Sequence, residues 1–307
     1  MRIRTRSSVI LATALLAAGA ALVGSPVQAA GGYRAVELNV EGWAEDINNV
    51  RQVTGSFINE DLKWHPFLWE HGRLTDLGAL RSGANEFAYA RDINNRGQVV
   101  GDSAVAWGDE DVNSHAFLWD HGVMTDLGTL GGEDSVALAI NDRGQVFGSS
   151  SVAPGEHHAF RWERGVMTDL GPFRVADAND RGQVVGDDVL WDRGVVTRLG
   201  FPSAAAINNA GWIAGNGYDE TMTQHGYLLR SGVVTDLGVG SYAIDLNNRG
   251  VVLSDGYGGP FLWRAGRVTH LASFGVTSVN ALNDRGDLAG TTTPDDGSPG
   301  HPVVYLR

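Results

Sequence analysis

Cysteine is absent from the 307 residues. Thiol redox chemistry and Cys-rich zinc sites are thereby excluded, and no disulfide can staple the fold. Basic side chains are few: 23 Lys and Arg stand against 36 Asp and Glu, a formal net charge of −13. A surface of that sign repels phosphate, so nucleic acid is not an expected partner. No apolar run of membrane-spanning length follows the first 29 residues, so no span is expected in the rest. The His-Glu-x-x-His, Gly-x-Ser-x-Gly and phosphate-loop signatures are also missing.

The first 29 residues form a separate object. Arg2, Arg4 and Arg6 precede an apolar stretch over 9–23, and Val27-Gln28-Ala29 offers small residues for cleavage. That is the layout of a secretory signal peptide. The expected organisation is a leader over 1–29 and one secreted, extracellular domain over 30–307. Removing the leader's three Arg leaves 20 basic against 36 acidic side chains, a net charge of −16. A large core makes disulfides dispensable outside the cell.

What the chain has in abundance is a repeated phrase. Small residues lead into Ile-Asn-Asn/Asp-x-Gly, then Gln-Val-Val-Gly, His-Ala-Phe-Leu-Trp and Gly-Val-Met-Thr-Asp-Leu-Gly. The first Asn recurs seven times, as Asn48, Asn94, Asn141, Asn179, Asn208, Asn247 and Asn283. Each copy holds four strand-like runs, the content of one propeller blade. Copy seven lacks the fourth run, and Tyr33 to Asn39 carries a matching one, with Glu37-Leu38 aligned on the Asp-Leu of the others. The expected fold is therefore all-β: a seven-bladed β-propeller closed by pairing of the N-terminal strand with the C-terminal blade. A closed ring hides the sheet edges that an open stack would need caps to protect.

The residue types fit that geometry. Asn starts a tight turn through its side chain, and Gly three places later takes the left-handed position; only copy one departs, with Arg51 there. Ala44, Ala90, Ala137, Ala204 and Ala243 share one position of the first run, where strands crowd the axis; Val175 and Val279 fill it in the other two copies. The third run ends in Trp69, Trp119, Trp162, Trp191 and Trp263. These are expected to be buried between blades, each removing roughly 150–250 Å² from water.

His115-Ala116-Phe117 and His158-Ala159-Phe160, with the variants His65-Pro66-Phe67 and His225-Gly226-Tyr227, resemble the HAF-repeat family of exported bacterial proteins. The resemblance spans nearly all of the chain after the leader. It implies secretion and a repeat β fold but no established activity. Copy four departs most, with Asp187-Asp188-Val189 in place of His-Ala-Phe.

Function is expected on one face of the ring. First-to-second and third-to-fourth connections are uniformly tight and share a face. The others vary in length and occupy the opposite face, where loops carry function on a rigid scaffold. They comprise 56–64, 79–87, 102–114, 129–135, 149–157, 216–224, 255–258 and 291–300. The candidate binding residues are Glu60, Asp61, Trp64, Trp107, Asp109, Asp111, Glu133, Asp134, Tyr218, Asp219, Glu220 and Tyr257. Aromatics beside acids suit carbohydrate or cationic ligands.

His65, His115, His158, His225 and His301 occupy one repeat position and so lie apart around the ring; a structural hydrogen bond to a loop or neighbouring blade is expected of each. No cofactor is expected. Asp92-Ile93-Asn94-Asn95-Arg96-Gly97 lacks the oxygen ladder of a calcium loop, and Asp109-Glu110-Asp111 is the better calcium candidate. The leading expectation is a monomeric, secreted, non-catalytic binding or scaffolding module for a glycan or an extracellular protein. The alternative is a secreted propeller hydrolase or lyase acting on polysaccharide or a small molecule, a reading that rests on fold analogy.

Overall fold

Alternation of apolar and small residues in four short runs per copy builds sheets covered on both faces. The computed structural model describes residues 26–27, 32–83, 86–107, 112–292 and 300–307. It is a seven-bladed β-propeller: seven antiparallel sheets, six with four strands and one with five. Blade one is typical, with strands Gly42–Ile47, Val53–Ile58, Trp64–Glu70 and Arg73–Asp76. The first strands of successive blades touch one another around the whole circle, which places them innermost. Ala44, Ala90, Ala137 and Ala243 are wholly buried there, as their size requires.

A close approach fixes a second small residue. The first strand bulges in five blades, at Ala44/Asp46, Ala90/Asp92, Ala137/Ala139, Ala204/Ala206 and Ala243/Asp245. Opposite three of these bulges lie Gly55, Gly101 and Gly148, where a Cβ would sit 1.8–2.0 Å from a first-strand carbonyl oxygen. Only glycine fits such a contact.

Closure follows the expected pattern. Arg34–Glu37 pairs antiparallel with His301–Leu306, in the register Arg34↔Leu306 to Glu37↔Val303. Tyr33, Val36 and Leu38 are buried on either side of this strand. A two-residue strand, Pro26–Val27, adds to its outer edge from within the segment expected to be a leader.

Two expectations need correction. The connections over 102–114 and 149–157 are largely strand: Val99–Trp107 runs into Val112–Asp120, and Val146–Ala153 into Glu156–Glu163. Of the five third-strand Trp, only Trp69 and Trp191 are buried, at 5% and 8% exposure; Trp119, Trp162 and Trp263 are half-buried. The strand-final position lies near the rim of the sheet. The Phe two places earlier is the deep one, and Phe67, Phe117 and Phe160 are inaccessible to solvent.

Candidate functional site

The Asn that opens each tight turn does more than start it. Within its own hairpin, the Asn94 Oδ1 accepts the backbone N–H groups of Arg96 and Gln98. Its Nδ2 donates to the carbonyl oxygen of Asn141 in the next blade, at 3.0 Å. The same bond joins all seven blades, at 2.9–3.2 Å, and returns from Asn283 to Asn48. The following residue forms a second closed ring: the backbone N–H of Asn49, Asn95, Asp142, Asp180, Asn209, Asn248 and Asp284 each donates to the side chain of its counterpart one blade on. All seven Asn of the first ring are buried. In copies one to four the Gln of the second strand bonds the acid that ends the third, as Gln98 does Asp120. Copy five substitutes both partners, and Arg230 lies 4.1 Å over the ring of Trp212.

At the seam, Arg51 holds the left-handed conformation (φ 68°) that favours Gly. Its guanidinium reaches the wholly buried Asp287, which stands where copies one to four have Gln, at 2.9 Å. Two departures from the repeat thus answer each other across the junction of blades seven and one.

One layer deeper, four carboxylates line a cavity of about 310 Å³ on the ring axis: Asp46, Asp92, Asp177 and Asp245. Each accepts the next residue's N–H and that of the following blade, as Asp177 does from Ala178 (2.7 Å) and Ile207 (2.8 Å). One carboxylate therefore serves two blades, and Asp alternates with Ala139, Ala206 and Ala281. Seven is odd, so the alternation fails once, where Asp46 and Asp92 fall on adjacent blades and hydrogen-bond each other. Burial, reinforced by neighbouring carboxylates, pushes Asp177 and Asp245 up to about 7. The same causes hold a proton on the Asp46–Asp92 pair well above the usual carboxylate range.

The repeated His is paired inside its own blade. Nδ1 of His65, His115, His158 and His225 meets Asp76, Asp126, Asp169 and Asp236 at 2.8–2.9 Å. The expected loop partners are present at two of them, Asn59 at 3.3 Å from His65 and Asp219 at 3.4 Å from His225, and the fourth strand adds an Asp partner that was not expected. Only His65 also reaches into the connection to the next blade, through Nε2 to Glu86 at 2.9 Å. Among the described residues, no three His, Asp or Glu side chains form a metal-ligand cluster.

Those of the predicted binding residues whose side chains are described do not gather into one site. Glu60, Asp61, Glu133 and Glu220 are exposed. Asp134 accepts the Ser114 N–H, which makes it part of a loop anchor. Asp219 closes its own turn through Thr221 and Thr223, and those donors hold its pKa down to about 2. Tyr218 and Tyr257 stand in solvent on blades five and six, at 60% and 89% exposure. Trp107 ends the second strand of blade two; Asp109 and Asp111 lie outside the described residues.

Among those described, Trp64 alone joins an aromatic cluster. Its ring centroid lies 4.6 Å from Trp43 and 6.2 Å from Tyr89. Tyr89 stacks on Trp43 at 6.0 Å and meets Phe87 at 5.5 Å. All four rings are half-buried at the loop-face rim between blades one and two. Trp43 and Tyr89 occupy one position of the first strand, which Val136, Arg174, Ser203, Tyr242 and Ser278 fill in the other copies. Polar groups adjoin the rings. The Trp43 indole N–H donates to Glu45 at 2.7 Å, and Arg91 pairs with Asp102 at 3.1 Å. Burial raises the pKa of both Glu45 and Asp102. Sequence reasoning found Trp64 through its loop. It passed over Trp43, Phe87 and Tyr89, although two aromatics at one repeat position in successive copies were a legible signal.

No protein-family model matches the chain, and no curated protein matches it. Solved structures do match. The β-propeller domain of the trilobed protease from Pyrococcus furiosus, which has an open velcro topology, aligns at 8% identity and a TM-score of 0.55, covering 86% of this chain and 95% of that one. A chain of the mitotic checkpoint complex aligns at 14% identity and 0.54, covering 97% and 99%. The extracellular domain of BT4673, a one-component system of B. thetaiotaomicron, aligns at 8% and 0.51, covering 93% of this chain and 40% of that one. Likeness at these identities shows the fold alone.

Proposed function

We propose that the protein is an exported, non-catalytic binding module that presents its ligand site on the loop face, with carbohydrate as the ligand class. One observation carries this reading. On the hairpin face the repeated polar side chains are committed to bonds within and between blades, whereas the loop face gathers four contiguous, half-buried aromatic rings beside Glu45, Arg91 and Asp102. Half-exposed aromatics next to hydrogen-bonding groups are what an amphipathic ligand needs. Export is supported by the basic and apolar start of the chain and by the acidic balance of the remainder.

The test is a glycan array probed with the protein over residues 30–307, with and without calcium. Selective retention of a glycan is the expected result. Reproducible turnover of a polysaccharide by the same protein would move it to the hydrolase class.

A further inference from the structure

We infer that the rim between blades one and two is a sugar-binding seat, in which a neutral pyranose ring stacks on Trp43, Trp64 and Tyr89 while Glu45, Arg91 and Asp102 bond its hydroxyls. The inference rests on the binding reading above and locates it.

The seat is built in advance. Trp64 stands between Lys63 and His65, and both neighbours are fixed from the other side by Glu86, at 3.2 Å and 2.9 Å. Lys63 also donates to the Gly83 carbonyl, and Glu86 accepts the Gly83 N–H. Phe87, next in sequence to Glu86, packs on Tyr89. The connection from blade one to blade two is thus pinned at the residues flanking the rings. Rings held this way lose little conformational freedom when a ligand lands, which is where preorganised sites gain affinity.

The chemistry selects a neutral ligand. Arg91 already occupies the cation position near Tyr89, its guanidinium carbon 5.8 Å from the ring centroid. It is anchored there by Asp102, whose side chain is only 11% exposed. A second cation at that ring would meet the guanidinium charge at short range. A pyranose meets no such penalty, because its C–H face is apolar and its edge hydroxyls both donate and accept. Glu45 and Asp102 supply acceptors and Arg91 supplies donors, the mixed set that ring hydroxyls require. Trp43 and Trp64 pack against each other at 4.6 Å and 43°, so a sugar ring lands on their half-exposed outer faces rather than between them. No other blade has aromatics at both equivalent positions: copy six has Tyr242 in its first strand but Gly258 before the His place, and copy two pairs Tyr89 with Ser114.

The experiment is a titration of the protein over residues 30–307 with cello-, xylo-, manno- and chito-hexaose, and with choline as the cationic probe, read by tryptophan fluorescence and calorimetry. At least one neutral hexaose is expected to bind and to perturb the fluorescence. Trp43→Ala and Trp64→Ala should each weaken it by about tenfold or more. Arg91→Ala, which removes no packed ring, should weaken it several-fold and, by leaving Asp102 unpaired, lower the melting temperature. Tyr218→Ala and Tyr257→Ala should leave it intact. Wild-type binding that survives all three rim variants would overturn the seat but not the binding reading. Binding of choline alone, or of no probe here and no glycan on the array, would overturn both.

Discussion

The two faces of this ring solve opposite problems with the same strands. On the hairpin face, every copy spends its Asn on the neighbouring blade, and both hydrogen-bond circuits close on themselves. On the loop face, the repeated His turns inward to an Asp of its own blade. The first arrangement makes the blades interdependent; the second leaves each free to vary. A propeller needs interdependence because its hydrophobic core is divided among neighbouring blade pairs, as in the cluster Val100, Leu118, Ala137 and Phe160. It needs freedom on the other side because unrepeated chemistry has to be placed there. Two asymmetric features, the aromatic rim and the Lys63–Glu86–His65 anchor, lie on the free side.

That contrast breaks most severely if the ring itself opens. Deleting residues 31–40 removes the strand Arg34–Glu37 and with it the buried Tyr33, Ala35, Val36, Leu38 and Val40. It also bares the edge of His301–Leu306 to other chains. Because both hydrogen-bond circuits run through this seam, the loss should be global, lowering the melting temperature by about 10 °C or more in one transition. An unchanged melting temperature, or a small early transition of one blade, would show that the blades stand independently and that the circuits are ornamental.

A smaller break tests one link. Asn141→Ala leaves the N–H groups of Arg143 and Gln145 without their side-chain acceptor and the Asn179 carbonyl without its donor, in a buried place. Orphaning such groups costs about 2–4 kcal/mol, which is several degrees of melting temperature for a chain of this size. A loop-face truncation such as Tyr257→Ala should fall within about 0.5 kcal/mol of wild type. Equal effects at the two positions, measured by thermal unfolding, would erase the distinction between the faces.

Much of this was legible in the residues, and the limits have a physical pattern. Seven copies of Asn, the split fourth run and the crowded Ala position determine the ring, its closure and its innermost strand, because strand content and steric size are local properties. The Asn was legible as turn chemistry only. Its donation to the next blade, and the sharing of one Asp carboxylate between two blades, arise when copies are set side by side, and no spacing along the chain encodes that neighbour. Trp was overvalued for the same reason. Size says how much area a ring can bury, whereas position along the strand decides how much it does, and the mid-strand Phe117 is inaccessible where Trp119 is not. The candidate site was read from loops, so it captured Trp64 and missed Trp43 and Tyr89, which are strand residues at the channel rim.

The mildest test uses pH, because the two faces titrate through different groups in the same direction. Asp177 and Asp245, raised to about 7, are neutral in both folded and unfolded chains below about pH 4. As pH rises from there to about 7, the unfolded chain ionises freely and the folded one does not, so stability falls. On the loop face, burial acts to lower His65, but Asp76 and Glu86 outweigh it and hold it above its ordinary value. The stability it contributes is present below its unfolded pKa and is lost as pH rises through the folded one. Glu86 and Asp287, both lowered, oppose this only in acid, where their protonation removes favourable bonds. Stability should therefore peak near pH 4 and decline by about 5 °C in melting temperature toward pH 8. His65→Gln separates the faces. If the axial carboxylates dominate, most of the decline survives in that variant, because four groups shared between blades outweigh one pair confined to the rim. A profile flattened by His65→Gln would assign the titration to the loop face, and the odd place in the Asp–Ala alternation would then carry no shared proton.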